Sequence, residues 1–247
     1  MLLNTFLKLS LLIFGFCQSV YGQARIINGT VTNVQACPSC VYIADKSGKL
    51  LCGAALIHTR FVASAASCTK PHIAGAMNVH GGKTYQLEAG EVIPVIKMIY
   101  SINFDQTTYD WDISLAQLQN AFTTTLAVPA PINSNPLEPY QVLRFYGWGE
   151  ISEGGKVSNV LRTMQVSVMT PASCEEYLTP QTARQFCTNS VYVGACDRDQ
   201  GGGYYDKDGQ WCGVDIWSYG CGRGYPNLGT RASEINTFIQ RAITNNL

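Results

Sequence analysis

Short apolar runs alternate with turn residues along most of the chain, a pattern that is typical of β-strands. Glycines at positions 48, 75, 81–82 and 154–155 separate several of these runs and mark turns. The strands that the pattern predicts are 41–43, 54–57, 61–64, 92–100, 113–118, 141–146, 161–168 and 212–217. Residues 128–140 contain four prolines and little periodicity, so we expect them to link two β halves.

Only the tail of the chain has clear helical periodicity. Ile235, Phe238, Ile239 and Ile243 recur at the spacing of one helix face, and the asparagine pair at 245–246 ends the pattern. The pattern therefore predicts an all-β fold of two packed β units, with a C-terminal α-helix docked against them.

The N-terminus has the features of a secretory signal peptide. Lys8 precedes the apolar run 9–16, and residues 20–22 offer a small-residue cleavage site. A run of about eight apolar residues is too short to cross a bilayer, which needs about 20. We therefore expect a signal peptide at 1–22 and a secreted, extracellular protein without a membrane partner.

Composition and charge limit the kinds of fold and partner that the chain can have. The chain has 247 residues, of which 46% are hydrophobic, enough for a sizeable core. Lys and Arg number 17, as do Asp and Glu, so the net charge is zero. Because the chain has no excess of positive charge, we expect no nucleic-acid partner.

The cysteines indicate disulfides. There are ten, and Cys17 lies in the predicted signal peptide, so an odd nine remain and at least one is free or pairs between molecules. The Cys37-Pro-Ser-Cys40 stretch could instead hold zinc, but no second CxxC pair and no histidine at ligand spacing accompanies it. We predict no metal and no cofactor.

Over residues 26–243 the chain resembles the trypsin-like serine proteases, because that family's segments occur in its order and spacing. The segments are 25–29, 51–57, 61–68, 109–115, 147–149, 196–202 and 213–221. The resemblance implies two packed six-stranded β-barrels with a C-terminal α-helix. It also implies a short propeptide at 23–25 and a protease-like domain at 26–247.

The resemblance places the catalytic triad at Ser67, Asp112 and Gln200. In the family a serine attacks the substrate, a histidine transfers the proton and an aspartate orients that histidine. Ser67 has no group that titrates near pH 7, and the Gln200 carboxamide is not a nucleophile. From these residues we predict that the chain is not an enzyme.

Other residues are not expected to replace the missing groups. The three histidines, at 58, 72 and 80, are interpreted as turn or surface residues. The resemblance implies three disulfides, which are Cys52–Cys68, Cys174–Cys187 and Cys196–Cys221. We add Cys37–Cys40, and Cys212 remains as a buried, unreactive free thiol.

The resemblance also implies an activation site. Cleavage after Arg25 would create an α-ammonium on Ile26, which in this family pairs with the carboxylate that corresponds to Asp199. Whether Arg25–Ile26 is cleaved stays open. So does glycosylation at Asn28, which begins the one Asn-x-Ser/Thr sequence of the chain.

The substrate pocket of the family is altered in this chain. Gly194 stands where trypsin has the aspartate that binds basic side chains, and Ile216 and Ser218 replace a serine and a glycine. Asn227 replaces a glycine at the pocket neck. We therefore predict an occluded pocket, no small-molecule substrate, and partner binding on the surface loops 69–84 and 204–210, with Tyr204 and Tyr205 exposed.

Within the family, the cysteine at 37 and the stretch at 221–226 resemble group 3 mite allergen proteases, and the altered triad resembles the scabies mite inactivated protease paralogues. That resemblance implies a protein that binds host proteins, including components of complement. A residual or unconventional hydrolase and a non-catalytic protease cofactor are the alternatives.

Overall fold

The computed structural model describes residues 26, 29–179, 181–189, 193–218 and 220–247. The predicted signal peptide, the propeptide with Arg25, and Asn28 lie outside these residues. No helix in this part of the chain is long and apolar enough to span a membrane.

The first half of the chain forms a closed antiparallel barrel with the strand order β2-β3-β4-β7-β6-β5. Its strands are β2 (Cys40–Asp45), β3 (Leu50–His58), β4 (Phe61–Ser64), β5 (Met77–Gly81), β6 (Glu91–Tyr100) and β7 (Ser114–Leu118). Alternate side chains point inward, and Ile43, Leu56 and Val62 are among the apolar residues that fill the barrel.

The second half also closes, because β8 pairs with both β9 and β11. Its strands are β8 (Val142–Gly147), β9 (Arg162–Val168), β10 (Gln185–Asn189), β11 (Gly203–Tyr205), β12 (Trp211–Ser218) and β13 (Asn227–Arg231). A short N-terminal strand, β1 (Thr30–Val31), adds to the outer edge of β9. The predicted all-β fold of two six-stranded barrels is confirmed.

Three α-helices accompany the barrels in the described part of the chain. They are α1 (Ala66–Thr69), α2 (Pro171–Glu175) and α3 (Ala232–Thr244). The periodicity in the tail located α3 correctly, and its capping residue is Asn245. Single 3₁₀ turns occur at Val34–Ala36 and Ala74–Ala76.

A continuous apolar core joins the two barrels. Leu115 of the first barrel, Trp211 of the second and Ile239 of α3 belong to one buried cluster. Between the barrels, the chain from the end of β7 to the start of β8 forms no helix or strand. The positions predicted for the catalytic triad lie along this junction, so the packing of the barrels positions the candidate site.

Four disulfides cross-link the described structure: Cys37–Cys40, Cys52–Cys68, Cys174–Cys187 and Cys196–Cys221. The free cysteine of this part of the chain is Cys212, which is buried in β12. Burial raises the pKa of the Cys212 thiol to about 12. A thiol with so high a pKa forms little thiolate, which is the reactive form of cysteine.

Candidate functional site

Ser67 and Asp112 lie side by side at the junction of the barrels. Ser67 is in α1, directly after β4, and Asp112 comes two residues before β7. The backbone N–H of Ser67 donates a hydrogen bond of 2.8 Å to Asp112 Oδ1. Asp112 is fully buried, and its Oδ2 has no hydrogen-bond partner.

Burial dominates the electrostatics of Asp112. It raises the pKa of this carboxyl to about 6, although hydrogen bonds from Ser67 and Ala66 act in the opposite direction. A carboxyl group with this pKa exchanges a proton in the mildly acidic range. Asp112 can therefore accept a hydrogen bond on Oδ2 or hold a proton there.

Gln200 lies in a tight turn that crosses between the barrels. The Gly53 N–H donates to the Gln200 carbonyl oxygen (2.9 Å), and the Arg198 N–H donates to Gln200 Oε1 (2.8 Å). The next residue, Gly201, has φ +92°, and a Cβ there would lie 2.1 Å from Ser64 Oγ. No hydrogen bond within the described residues joins Gln200 to Ser67 or Asp112, so the three positions do not form a relay of direct hydrogen bonds.

Asp199 is buried behind this turn. Its Oδ1 accepts a hydrogen bond from the Gly149 N–H (2.8 Å), and its Oδ2 accepts one from the Cys196 N–H (3.1 Å). Burial raises the pKa of Asp199 to about 7, and the nearby charges of Glu150 and Asp197 add to this effect. Asp199 is therefore a buried acid that stabilises its surrounding backbone.

The other residue of the predicted activation site with a described position is Ile26. It is completely buried and packs in the core of the second barrel with Leu143 and Phe145. Its predicted pairing with Asp199 stays a prediction.

The predicted pocket residues lie on neighbouring strands of the second barrel. Ser218 in β12 is paired with Asn227 in β13, and Ile216 precedes them in β12. Asn227 is completely buried, and neither its Oδ1 nor its Nδ2 has a hydrogen-bond partner. At Gly194, a Cβ would lie 2.6 Å from the Gly222 backbone nitrogen, so these two segments are in close contact.

A buried acid that the sequence analysis did not consider lies next to these residues. The Tyr204 hydroxyl donates a hydrogen bond of 2.6 Å to Asp215 Oδ1, and both side chains are fully buried. A single aspartate inside the apolar run of β12 was the signal that could have revealed it.

Two predictions about exposure are wrong. Tyr204 and Tyr205 were expected on the surface, but both are buried because β11 lies between β8 and β12 in the second barrel. His80 was expected in a turn or on the surface, but it is buried in β5 with its ring stacked on Tyr42 at 4.8 Å. Burial lowers the pKa of His80 to about 4.

The remaining histidines, His58 and His72, are half-buried. The hydrogen bonds described for His58 join it to its neighbours Thr59 and Arg60. The described residues contain no group of three or more His, Cys, Asp or Glu side chains that could hold a metal ion.

Comparisons with known proteins identify relatives of this chain that have the same fold. The model of the family described as Trypsin matches residues 26–239. Alkaline trypsin A of Manduca sexta is 30% identical over 253 residues, which covers 95% of this chain and 98% of that protein. Trypsin 5G1 of Aedes aegypti is 27% identical over 229 residues, covering 88% and 85% of the two chains. Among solved structures, human heparin binding protein superimposes with a TM-score of 0.77 at 27% identity and covers 90% of this chain and 97% of that one.

These matches overturn one prediction of the sequence analysis, namely that the chain is not an enzyme. That prediction was drawn from the residue types at positions 67 and 200 alone. The family whose model spans almost all of the described chain is a serine protease family, and the relatives from Manduca sexta and Aedes aegypti are named trypsins. Peptide-bond hydrolysis is therefore a candidate activity that experiments on this chain have to include.

Proposed function

Because the chain belongs to the trypsin family of serine proteases, we propose that it is a secreted member of the family that binds host proteins through its surface loops and interferes with a host defence such as complement. The observation that carries the proposal is a pair of adjacent loops beside the candidate site that expose large apolar side chains. Four disulfides support an extracellular location, since disulfides persist in oxidising compartments.

The two loops are 70–76, which follows α1, and 101–105, which follows β6. The Lys70 ammonium lies 5.1 Å from the centre of the Phe104 ring, so the loops are in contact through a cation–π interaction. On them, Ile73 is 78% exposed and Ile102 is 98% exposed. We call this surface the isoleucine loops.

Exposed apolar side chains next to a charged rim are typical of protein-binding surfaces. A stable interface covers about 800 Å² on each partner, more than a narrow pocket offers. Asn227 is completely buried, which also favours recognition at the surface over recognition in the pocket. The predicted loop 69–84 is shorter in the structure, because Met77–Gly81 forms β5.

Other observations support host proteins as the kind of partner. The resemblance of the chain to scabies mite paralogues supports host proteins, and complement components among them. Human heparin binding protein, which has this fold, is named for what it binds, so the fold supports a binding role. The zero net charge of this chain provides no reason to extend heparin itself to it.

The test measures binding of the purified protein to individual complement proteins by surface plasmon resonance. Replacing Ile73 and Ile102 with aspartate should weaken binding at least tenfold, because an interface would then bury two unpaired charges. Leu87→Asp is the matched control, since Leu87 is 89% exposed but belongs to neither loop. Equal binding by the double variant and the control, or no binding by any of the proteins, would reject the proposal.

Peptide-bond hydrolysis is the second candidate function, and the trypsins among the relatives favour it. It is measured on the same preparations with peptide and ester substrates. If hydrolysis is the function, Asp112→Ala should abolish turnover while the isoleucine-loop variant retains it. If binding is the function, the isoleucine-loop variant loses binding and Asp112→Ala does not.

A further inference from the structure

A cavity of about 330 Å³ lies on the second barrel, between α2 and the start of α3. Part of its wall is apolar and includes Leu137, Met169 and Phe186. Arg231 and Glu234 also line it, at the N-cap position and in the first turn of α3. The cavity contains none of the triad positions and none of the residues predicted for the substrate pocket. We call it the α3 cavity.

The Arg231 guanidinium uses only part of its hydrogen-bonding capacity within the protein. Its Nε donates a hydrogen bond of 2.8 Å to the Gln185 carbonyl oxygen, and its Nη1 donates one of 3.4 Å to the Leu137 carbonyl oxygen. The centre of the Phe186 ring lies 5.6 Å from the guanidinium carbon. Nη2 has no hydrogen-bond partner among the described residues, so it can donate to a ligand in the cavity.

Glu234 brings the opposite charge to the same cavity. No salt bridge or hydrogen bond in the described part of the chain involves its side chain. Burial lowers the pKa of Arg231, and the nearby charges of Glu234 and Glu138 oppose this effect without reversing it. Arg231 and Glu234 are therefore close but not in contact. Because Arg231 has no contacting carboxylate, a ligand that supplies one is stabilised by a charge-assisted hydrogen bond.

We propose that the α3 cavity binds a free α-amino acid with a large apolar side chain, such as phenylalanine or leucine. Arg231 binds its carboxylate, Glu234 binds its ammonium, and the apolar wall contacts its side chain. An amino acid carries both ionic groups on one carbon atom, so it needs two protein charges that are close together but not joined to each other. Small-molecule pockets have volumes of about 300–1,000 Å³. The α3 cavity is at the lower end of this range, which favours one amino acid over a longer peptide.

The test compares three ligands by their effect on the thermal unfolding of the full protein. L-phenylalanine has both ionic groups, 3-phenylpropanoate lacks the ammonium, and 2-phenylethylamine lacks the carboxylate. L-phenylalanine at about 100 times its Kd should raise the Tm by roughly 5–10 °C for a chain of this size. Each of the other two ligands should bind about tenfold more weakly, because it loses a charge-assisted hydrogen bond.

Glu234→Gln tests where the ligand binds, and the variant should fold because Glu234 is exposed. It should weaken the binding of L-phenylalanine about tenfold, since the ammonium loses its charged partner. The binding of 3-phenylpropanoate, which has no ammonium, should be no weaker than in the unmodified protein. Glu175→Gln is the matched control, because Glu175 is an exposed carboxylate in α2 that does not line the cavity.

Crystals soaked with 4-bromo-L-phenylalanine locate the ligand directly. The bromine should give an anomalous scattering peak in the α3 cavity, with the ligand carboxylate within hydrogen-bond distance of Arg231. The proposal would be overturned by no rise in Tm, by equal binding of L-phenylalanine and 3-phenylpropanoate, by unchanged binding in Glu234→Gln, or by a bromine peak at another site. These outcomes concern a small ligand, so they leave the binding of a protein partner at the isoleucine loops unaffected.

Discussion

At the residue scale, the buried carboxyl groups give the protein its pH dependence. Asp112 has an ordinary pKa of 3.8 when exposed and a pKa of about 6 in the folded protein, chiefly because of burial. The folded state therefore binds more protons than the unfolded state between these values. It follows that the contribution of Asp112 to stability is most favourable below pH 4 and is lost as the pH rises through 6.

Asp112→Asn tests this pH dependence. The asparagine side chain keeps an oxygen that can accept the hydrogen bond from Ser67, but the side chain cannot ionise. Relative to the unmodified protein, its free energy of unfolding should rise between pH 4 and pH 8 by on the order of 3 kcal/mol. Urea unfolding at both pH values measures the effect. The control is Ser67→Ala, which keeps the Asp112 carboxyl and should leave the pH dependence of the free energy of unfolding in place. If Asp112→Asn showed the same pH dependence as the unmodified protein, Asp112 would not titrate in this range.

At the element scale, the turn from Asp199 to Gly202 joins the barrels because glycine allows a close approach. Gly201 has φ +92°, and a Cβ on it would lie 2.2 Å from the Gly53 carbonyl oxygen. Its N–H donates a hydrogen bond of 2.7 Å to the Asp215 carbonyl oxygen. A side chain at this position would push the turn away from both barrels.

We therefore expect Gly201→Ala to lower the free energy of unfolding by more than about 3 kcal/mol, the sum of left-handed backbone strain and overpacking. Gly48→Ala is the matched control: Gly48 has φ +86°, but no atom lies within 4 Å of its Cβ position. It should cost only about 1–2 kcal/mol. Thermal unfolding distinguishes the two, and equal losses would mean that steric contact at Gly201 is unimportant.

At the scale of the whole molecule, the C-terminal helix connects the end of the chain to the first barrel. Gln117 Nε2 in β7 donates a hydrogen bond of 2.6 Å to the carbonyl oxygen of Asn246. Lys97 Nζ in β6 donates one of 2.6 Å to Asn246 Oδ1. Ile239 of α3 is completely buried in the apolar core that both barrels share. The barrels should therefore unfold together.

Ile239→Ala tests this cooperativity. The loss of a large buried side chain costs about 2–5 kcal/mol, and because the core is shared, the Tm should fall in one transition for both halves. Gln240→Ala, on the exposed side of α3, should change the Tm little. Scanning calorimetry gives the number of transitions. Two separate transitions in Ile239→Ala would show that the barrels unfold independently.

The sequence determined those features that depend on local pattern. All eight predicted strands overlap observed strands, because alternating apolar residues and glycine turns act over a few residues. The strands β1, β5, β10, β11 and β13 were not predicted. In β13, Asn227 and Gly229 are typical turn residues, yet strand pairing on both sides holds them extended.

Only the tertiary structure decided which side chains meet. It buried Tyr204, which was expected on the surface, and His80, which was expected in a turn or on the surface. It also placed Tyr204 against Asp215 through a hydrogen bond between two strands. It also paired Ser218 with Asn227 and brought the loops of Ile73 and Ile102 together. The physical reason is the closure of each barrel: closure determines which residues of distant strands share an interior, and no spacing along the chain encodes that.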